Sequence, residues 1–370
     1  MIPRSEVLRR SVSRAAVTAV ESGAQSPAYG VREERPDRGA LDMSGAGTNP
    51  PVVGIDLGGT KILAGVVSAD HRILGRSKRA TPAREGGQAI FEAMMQSLDE
   101  ALQHAGLARS DVAAAAIGSP GPLDVREGVI LFSANLNVKD FPIGPRVAAE
   151  LGRPVLVQND VRVGGFAEFR LGAGRGYRDI IAAFVGTGIG GCVIVGGQLI
   201  AGSTENAGEL GHMIVKAGGP RCGCGARGCM EALASKTSIQ RRVTKALRKG
   251  KPSMLGEKMA RKGGRLKSGD LAEAVAAKDP VAVRAVERAA YYLGLGLGSL
   301  VNVLGPEIVI VGGGVAEALG ESWVDMVRAS ARTQILTDPH GQIKIVRAAL
   351  GDDAGILGAA LLAREQFVRG

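Results

Sequence analysis

The sequence predicts an α/β protein with a duplicated core, organised as two lobes with a cleft between them. Two glycine turns, Gly58-Gly59 and Gly186-Thr187-Gly188, are each flanked by β-branched residues and lie about 130 residues apart. Between these turns, helical and strand-like apolar patterns alternate, as expected for a mainly parallel sheet. The chain has 370 residues, more than a usual single domain, so each lobe has enough residues for its own core.

The first fifty residues differ in composition from the rest of the chain. Residues 24–51 are rich in Gly, Pro, Ser and mixed charge with little to bury, so we predict a disordered tail over residues 1–49. Residues 5–20 could form a short basic helix. The first twenty residues are rich in Arg and hold one acid, Glu6, as in a transit peptide, whereas Met43 equally allows an over-extended start site.

The two glycine turns predict a phosphate site. Residues 52–67 and residues 179–195 each read as strand, tight turn and strand. Each turn offers backbone amides and a threonine hydroxyl, Thr60 or Thr187, and amides in a tight turn can bind an anion. One such turn alone would be an ordinary hairpin, but two at equivalent places suggest that a polyphosphate is held from both sides. The Gly-x-x-x-x-Gly-Lys-Ser/Thr pattern of a P-loop is absent, and neither turn precedes a helix as a dinucleotide fingerprint requires.

The segment between the two hairpins predicts where chemistry takes place. Its elements are, in order, an amphipathic helix over residues 89–105, a strand over 112–117 ended by the Gly/Pro run 118–122, a strand over 154–157, and a helix over 161–169. Ligands of parallel sheets bind at the carboxyl ends of the strands. Asp160 follows the strand there, so it is a candidate for chemistry, with a helix N-cap as the local alternative.

A cluster of metal-binding residue types lies between Gly208 and Glu231. Three of the four cysteines follow His212 in a glycine-rich run: Cys222, Cys224 and Cys229. Three thiolates and one imidazole suit tetrahedral zinc, and a closed set of four indicates a structural site. A disulfide is the alternative, but three clustered thiols do not pair evenly and the chain shows no secretory apolar segment. Glu209 and Glu231 flank the complete zinc set and need another role.

The net charge of +10 is concentrated in one segment. Residues 241–267 hold eleven Lys or Arg and one acid, Glu257, so this segment carries the whole excess. It contains no aromatic residue to stack on bases, which argues against single-strand nucleic acid binding and favours a solvated helix end and loop. Attraction of an anionic substrate or partner is the alternative.

Apolar runs in this sequence are short. None approaches the roughly 20 residues that a membrane-spanning helix needs. We therefore expect a soluble, cytoplasmic protein that has no membrane partner.

A third glycine cluster, Gly312-Gly313-Gly314, ends a predicted strand over residues 307–311 and enters a helix from Val315. The preceding helix, residues 281–304, contains three glycines that permit close backbone contact: Gly294, Gly296 and Gly298. Glycine backbone that passes close to a flat ring would suit an adenine. Plain packing between strand and helix is the alternative.

Taken together, these motifs resemble those of the ROK family of sugar kinases, and most closely the bacterial ROK glucokinases. The motifs occur in family order from about residue 50 to the C-terminus. They are Asp56 to Lys61, Asn159-Asp160, Gly186 to Gly191, Gly208 to His212, Cys222 to Glu231, and Gly312 to Gly314. The resemblance implies the actin-like and hexokinase-like ATPase fold. It also implies a small lobe of residues 50–166 with the C-terminal helix 352–370, and a large lobe of residues 167–351 with a zinc-binding loop at 208–231.

The resemblance implies a role for each motif. Asp160 would be the general base that accepts the proton of a sugar hydroxyl as that oxygen attacks the γ-phosphoryl group. Residues that would hold the sugar are Asn135, Asn159, Asp160, Glu209, His212 and Glu231. Residues at the nucleotide and Mg²⁺ would be Asp56, Gly58, Gly59, Thr60, Lys61, Gly186, Thr187, Gly188, Gly312, Gly313 and Gly314. The zinc ligands would be His212, Cys222, Cys224 and Cys229, with His212 turning its second ring nitrogen to the sugar.

The implied activity is ATP-dependent phosphorylation of glucose to glucose 6-phosphate, with ATP, Mg²⁺ and structural Zn²⁺ bound. Kinases of N-acetylmannosamine, N-acetylglucosamine or fructose are alternatives within the family, and polyphosphate stays open as a donor. A sugar-responsive repressor is the alternative outside catalysis, although family repressors place a helix-turn-helix before the kinase core, where this chain has Gly/Pro-rich sequence. The family makes a homodimer or homotetramer plausible.

Overall fold

The computed structural model describes residues 49–338 and 340–368, so residues 1–48 of the predicted tail lie outside the described residues. The first strand, β1, begins at Val52, where the sequence predicts that order begins. Among the described helices, none is long and apolar enough to cross a membrane.

Within the described residues, thirteen strands form three sheets. In chain order the strands are β1 (Val52–Leu57), β2 (Lys61–Val67), β3 (Ile73–Ala80), β4 (Ala115–Ser119), β5 (Leu123–Asp124), β6 (Val129–Ser133), β7 (Val138–Phe141), β8 (Val155–Asn159), β9 (Ile180–Val185), β10 (Ile189–Val195), β11 (Gln198–Leu199), β12 (Ile308–Gly312) and β13 (Lys344–Arg347).

Eleven α-helices accompany the strands in this part of the chain. They are α1 (Gly87–Ala105), α2 (Ile143–Leu151), α3 (Asp160–Arg170), α4 (Met230–Ala234), α5 (Lys236–Arg248), α6 (Leu255–Ala260), α7 (Ser268–Ala276), α8 (Pro280–Leu304), α9 (Gly314–Leu319), α10 (Glu321–Arg332) and α11 (Asp353–Phe367). Two short 3₁₀ turns cover Arg109–Asp111 and Leu210–His212.

The two larger sheets share one strand pattern. The first has the order β3-β2-β1-β4-β8 and the second the order β11-β10-β9-β12-β13. In each sheet the first three strands pair antiparallel and the last three pair parallel. The predicted glycine turns connect β1 to β2 and β9 to β10, at equivalent places in the two sheets. The predicted duplication is therefore confirmed in the sheet topology.

Helices cover both faces of the first sheet. On one face, Val53, Ile55 and Leu57 of β1 pack in a buried cluster with the apolar side of α1. On the other face, Val52 packs in a second cluster with α3 and α11. Successive residues of a strand point to opposite faces, so a strand covered on both sides must be apolar throughout. This explains why β1 is apolar except at Asp56, near its end.

The C-terminal helix α11 approaches the sheet so closely that two positions require glycine. A Cβ atom at Gly54 in β1 would lie 2.0 Å from the carbonyl oxygen of Ile356 in α11. A Cβ atom at Gly358 in α11 would lie 2.0 Å from the carbonyl oxygen of Val163 in α3. Carbon and oxygen atoms in contact normally stay about 3.3 Å or more apart. A side chain at either position would push α11 away from β1 and α3.

A buried carboxylate joins α3 to the segment that precedes α11. Glu168 is fully buried, and its Oε1 accepts the backbone N–H groups of Ala349 at 2.9 Å and Leu350 at 2.8 Å. Its Oε2 accepts the N–H of Ala173 at 2.8 Å. A buried carboxylate is costly unless it is hydrogen-bonded. The two bonds from Ala349 and Leu350 therefore hold the segment before α11 in a defined place relative to α3.

The structure shifts the predicted bounds of the strand over 112–117, the strand over 154–157 and the helix over 161–169. The strand predicted over residues 112–117 lies instead over Ala115–Ser119, because β4 pairs with β8 as far as Ser119 opposite Asn159. The same pairing extends β8 to Asn159, so the following helix begins at Asp160. The pairing of β4 with β8 therefore determines where both strands end.

The glycines of α8 serve helix packing. A Cβ atom at Gly294 would lie 2.5 Å from the carbonyl oxygen of Val327, and one at Gly298 would lie 2.5 Å from that of Ala331. Both carbonyls belong to α10, so Gly294 and Gly298 permit close contact between two helices rather than between strand and helix. The lobe boundaries stay a prediction from the resemblance. They are residues 50–166 with 352–370 for the small lobe and residues 167–351 for the large lobe.

Candidate functional site

A cleft of about 740 Å³ lies where the two glycine turns face each other. The first sheet contributes Gly59, at the turn after β1, and Asp160, at the carboxyl end of β8. The second sheet contributes the turn Gly186-Thr187-Gly188 after β9. The cleft thus joins the two duplicated halves at the edge where parallel strands end, which is the usual ligand position in such sheets.

The structure brings eleven of the predicted site residues to this cleft: Gly59, Asn135, Asn159, Asp160, Gly186, Thr187, Gly188, Glu209, His212, Glu231 and Gly313. Asp56 lines an adjoining cavity of about 180 Å³ that shares Asp160 with the cleft. Five other residues assigned to the nucleotide and Mg²⁺ do not line the cleft, Gly58, Thr60, Lys61, Gly312 and Gly314, and neither do the three cysteines of the zinc set. The assignment of Gly312 to Gly314 to an adenine stays a prediction.

Asp160 is the first residue of α3, and the N-cap of that helix is its neighbour. The side chain of Asn159 caps α3 by accepting the N–H groups of Val161 at 3.0 Å and Arg162 at 3.1 Å. The amide of Asn159 also donates to Oδ1 of Asp160 at 3.1 Å. Among the described residues no hydrogen bond is found to Oδ2 of Asp160. The second carboxyl oxygen is therefore available to a ligand in the cleft.

The surroundings of Asp160 favour its protonated form more than water does for an exposed aspartate. Burial raises the pKa of Asp160 above its usual value, and the negative charge of Glu209 raises it further. The N–H of Val161 opposes this shift by donating to Oδ1 at 2.9 Å. A carboxylate with a raised pKa is a stronger proton acceptor, which suits a general base.

Asp56 is the last but one residue of β1, lines one cavity together with Asp160, and also has a raised pKa. Burial, followed by the charge of Asp160, raises the pKa of Asp56 to about 6. Lys61 offsets this only partly, because its ammonium lies 2.7 Å from a carboxyl oxygen of Asp352. Two carboxyl groups that share one cavity and lack a full counter-charge are the donor set that a hard divalent cation prefers. The residues present therefore fit Mg²⁺ beside Asp56.

His212, Cys222, Cys224 and Cys229 form a compact cluster, and their ligand atoms all lie within 4.8 Å of one another. The Sγ atoms of Cys224 and Cys229 are 3.7 Å apart, and Sγ of Cys222 is 3.7 Å from Nδ1 of His212. Ligands at tetrahedral zinc, with Zn–S near 2.3 Å, are about 3.8 Å apart for two sulfurs and about 3.6 Å apart for sulfur and nitrogen. The four residues predicted from spacing therefore fit a structural zinc ion.

Two residues connect the zinc cluster to the cleft. The ring of His212 turns Nδ1 to Cys222 and Nε2 to the carboxylate of Glu209, at 3.9 Å. Glu231 accepts the N–H of Ile189 with Oε2 at 3.0 Å, and its Oε1 lies 3.5 Å from Sγ of Cys222. Ile189 begins β10 directly after the second glycine turn. The zinc loop is thereby joined to the phosphate turn through a carboxylate that also lines the cleft.

Several residues that line the cleft were not predicted. They include Pro120, Gly121, Phe184 and Asn206. Gly121 belongs to the Gly/Pro run after β4, whose position at the carboxyl end of a parallel strand was a usable signal. Asn206 precedes Gly208-Glu209 in the loop after β11, and no local pattern in the sequence distinguishes it.

Comparison with known proteins gives a consistent result. The sequence profile of the ROK family matches residues 52–366. The chain is 33% identical over 317 residues to a glucokinase of Thermotoga maritima, covering 85% of this chain and 98% of that protein.

Solved structures agree. A ROK hexokinase from Thermus thermophilus is 38% identical with a TM-score of 0.71, covering 85% of this chain and 98% of that one. A ROK family glucokinase from Streptomyces griseus, solved in complex with glucose and AMPPNP, is 36% identical with a TM-score of 0.71, covering 85% and 99%. The predicted α/β architecture with the actin-like, hexokinase-like ATPase fold is confirmed.

The raised pKa of Asp56 predicts a stability gain on neutralisation. The folded protein retains a proton on Asp56 up to about pH 6, whereas an unfolded aspartate releases it near pH 4. This contribution to stability is present below about pH 4 and is lost as pH rises through about 6, at a cost of up to about 3 kcal/mol. We expect Asp56→Asn, without nucleotide or Mg²⁺, to raise Tm at pH 8 and to have little effect at pH 4.

The matched control for thermal unfolding is Asp352→Asn. A hydrogen bond from Lys61 lowers the pKa of Asp352, so neutralising this residue should not stabilise the protein. An Asp56→Asn variant with a Tm at pH 8 equal to or below that of the wild type would contradict this account.

The zinc cluster predicts one zinc ion per chain. Elemental analysis of the purified protein should find it, and Cys224→Ser should lose it because three ligands hold structural zinc poorly. Cys192→Ala is the control, since Cys192 is buried outside the cluster. Zinc removal by a chelator should also lower Tm. Metal-free protein with an unchanged Tm would rule out a structural role.

Proposed function

Because this chain belongs to the ROK family and is an ATP-dependent sugar kinase, we propose that it transfers the γ-phosphoryl group of ATP to glucose, with Asp160 as general base. The observation that carries the proposal is the position of Asp160. Its Oδ1 is held by Asn159 and Val161, while Oδ2 is left to the cleft between the two glycine turns.

In the proposed reaction the carboxylate of Asp160 accepts the proton of a sugar hydroxyl. The hydroxyl oxygen forms a bond to the γ-phosphorus of ATP, and the bond to the β,γ-bridging oxygen breaks, so that ADP leaves. Phosphoryl transfer passes through a loose transition state, so placement of the base matters more than its strength. The bonds from Asn159 and Val161 supply that placement, and the raised pKa of Asp160 makes proton acceptance more favourable.

We assign the sugar to the side of the cleft next to the zinc loop. Glu209 and Glu231 would accept hydrogen bonds from sugar hydroxyls, and Nε2 of His212 would face the same ligand. Asn159 would contribute only its amide N–H, because its carbonyl oxygen already caps α3. Carboxylates that pair with hydroxyls discriminate strongly against analogues that lack them, because a buried acceptor is then left unpaired.

The phosphates of ATP would lie between the two glycine turns. The exposed hydroxyl of Thr187 and the turn amides are the groups of the cleft available to oxyanions, and Thr60, in the first turn, is exposed but does not line the cleft. Bound Mg²⁺ would neutralise charge that develops on the phosphates. Asp56 is the residue that would hold this cation, with Lys61 fixed nearby by Asp352.

Zinc would act as a structural element for sugar binding. His212 ties the cluster to Glu209, and Glu231 ties it to the start of β10. The zinc loop would thus hold three sugar contacts in place while taking no part in phosphoryl transfer.

A sugar panel with Mg-ATP tests the proposal. Glucose is expected to give the highest kcat/KM, at least about tenfold above N-acetylglucosamine, N-acetylmannosamine and fructose, because a changed group at the second carbon disturbs paired hydroxyl contacts. A higher kcat/KM for an N-acetylated sugar would show that this sugar, and not glucose, is the preferred substrate. No transfer to any of the four would refute the kinase assignment and favour the sugar-responsive repressor.

A further inference from the structure

A second cavity, of about 540 Å³, lies on α5 and the first half of α8. None of the residues that line it also lines the cleft. Four cations line it, Arg242, Lys251, Arg284 and Arg288, together with one acid, Glu287. Its size falls within the range of small-molecule sites, roughly 300–1,000 Å³.

The positive charge of this cavity is not balanced by the protein. Within the described part of the chain, none of its four cations forms a salt bridge with an acid. The other half of the basic segment differs, because Lys258 pairs with Glu273 and Lys262 pairs with Asp270. The excess charge of residues 241–267 is therefore partly neutralised around α6 and α7 and left uncompensated around α5.

Arg242 is the clearest case of a cation in this cavity that lacks a counter-charge. Its Nη2 donates to the carbonyl oxygen of Leu233, but its Nη1 is buried with no hydrogen-bond partner among residues 49–338 and 340–368. Burial, followed by the charges of Arg241 and Arg288, lowers the pKa of Arg242 to about 10. A desolvated guanidinium without a counter-charge is costly, and a bound anion in the same cavity would offset that cost.

Two of the other guanidinium groups are held in place by the protein. Arg288 stacks on the rings of Tyr291 and Tyr292, at 5.0 and 4.7 Å from their centroids, and donates to the hydroxyl of Tyr292 at 2.9 Å. Arg284 donates its Nε–H to the carbonyl oxygen of Pro280 at 3.2 Å. Guanidinium groups fixed in this way lose less entropy when they bind an oxyanion, and they match phosphate geometry through paired N–H bonds.

We propose that this cavity is a binding site for a small organic phosphate. The cationic groups would hold the phosphate, and one wall is apolar, formed by Val281, Ala285 and the ring of Tyr291. An inorganic anion would leave this wall exposed to water, whereas an organic group would cover it. A phosphate ester of roughly the size of a sugar or an aromatic ring uses both features.

Calorimetric titration of the full chain with phenyl phosphate tests the proposal, without nucleotide, because an ATP analogue is itself an organic phosphate; variants of the cavity, which shares no residue with the cleft, separate the two sites. We expect one site per chain, and binding of phenyl phosphate at least about fivefold tighter than that of inorganic phosphate, because its ring covers the apolar wall. The double variant Lys251→Gln, Arg284→Gln should weaken phenyl phosphate binding about tenfold or more. Both side chains are exposed, so the variant should fold normally.

The matched control is Lys245→Gln, Lys249→Gln, which removes two exposed cations of the same segment that do not line the cavity. Its affinity should stay within about twofold of the wild type. An equal loss of affinity in the control would show diffuse surface attraction and overturn the proposal. So would the absence of binding to the wild type, unchanged binding in the Lys251→Gln, Arg284→Gln variant, or equal affinity for phenyl phosphate and inorganic phosphate.

Discussion

The close approach of α11 to β1 and α3 is the constraint on which the rest of the structure depends. Gly54 and Gly358 leave no room for a Cβ atom at the two contacts, and a Cβ atom at Gly355 would lie 2.7 Å from the carboxyl carbon of Asp56. The ends of β1 and β8 and the start of α3 are thereby fixed against one helix. Asp56 and Asp160 share one cavity because of this packing.

The same packing places two carboxyl groups in one cavity without a full counter-charge, and bound ligands would supply the missing compensation. Burial and the charge of Asp160 raise the pKa of Asp56, burial and the charge of Glu209 raise the pKa of Asp160, and Lys61 is engaged by Asp352. A protein selected for stability alone would not keep two such carboxylates together. Cation binding beside Asp56 and proton transfer to Asp160 would both use the charge that folding leaves uncompensated. The zinc loop, by contrast, has its own complete set of four ligands. It would hold the side chains of the sugar site in place.

The sequence predicts those parts of the site that depend on local spacing. The zinc ligands, the glycine turns and the place of Asp160 after a parallel strand all follow from residues close together in the chain. The division of labour between Asn159, which caps α3, and Asp160, which keeps a free oxygen, depends on where the β8 ladder ends. Asn206 reaches the cleft through loop packing, and the cavity on α5 and α8 is formed by segments about forty residues apart, so neither has a local signature.

The central claim is that Asp160 removes the proton while other residues bind the sugar. Single-turnover transfer from Mg-ATP to glucose by Asp160→Asn, measured beside glucose affinity by titration, tests it most directly. The account predicts that the transfer rate falls by about 10² to 10⁴ while the Kd for glucose changes by less than about threefold. A transfer rate within about tenfold of the wild type, or a loss of glucose affinity as large as the loss of rate, would contradict it.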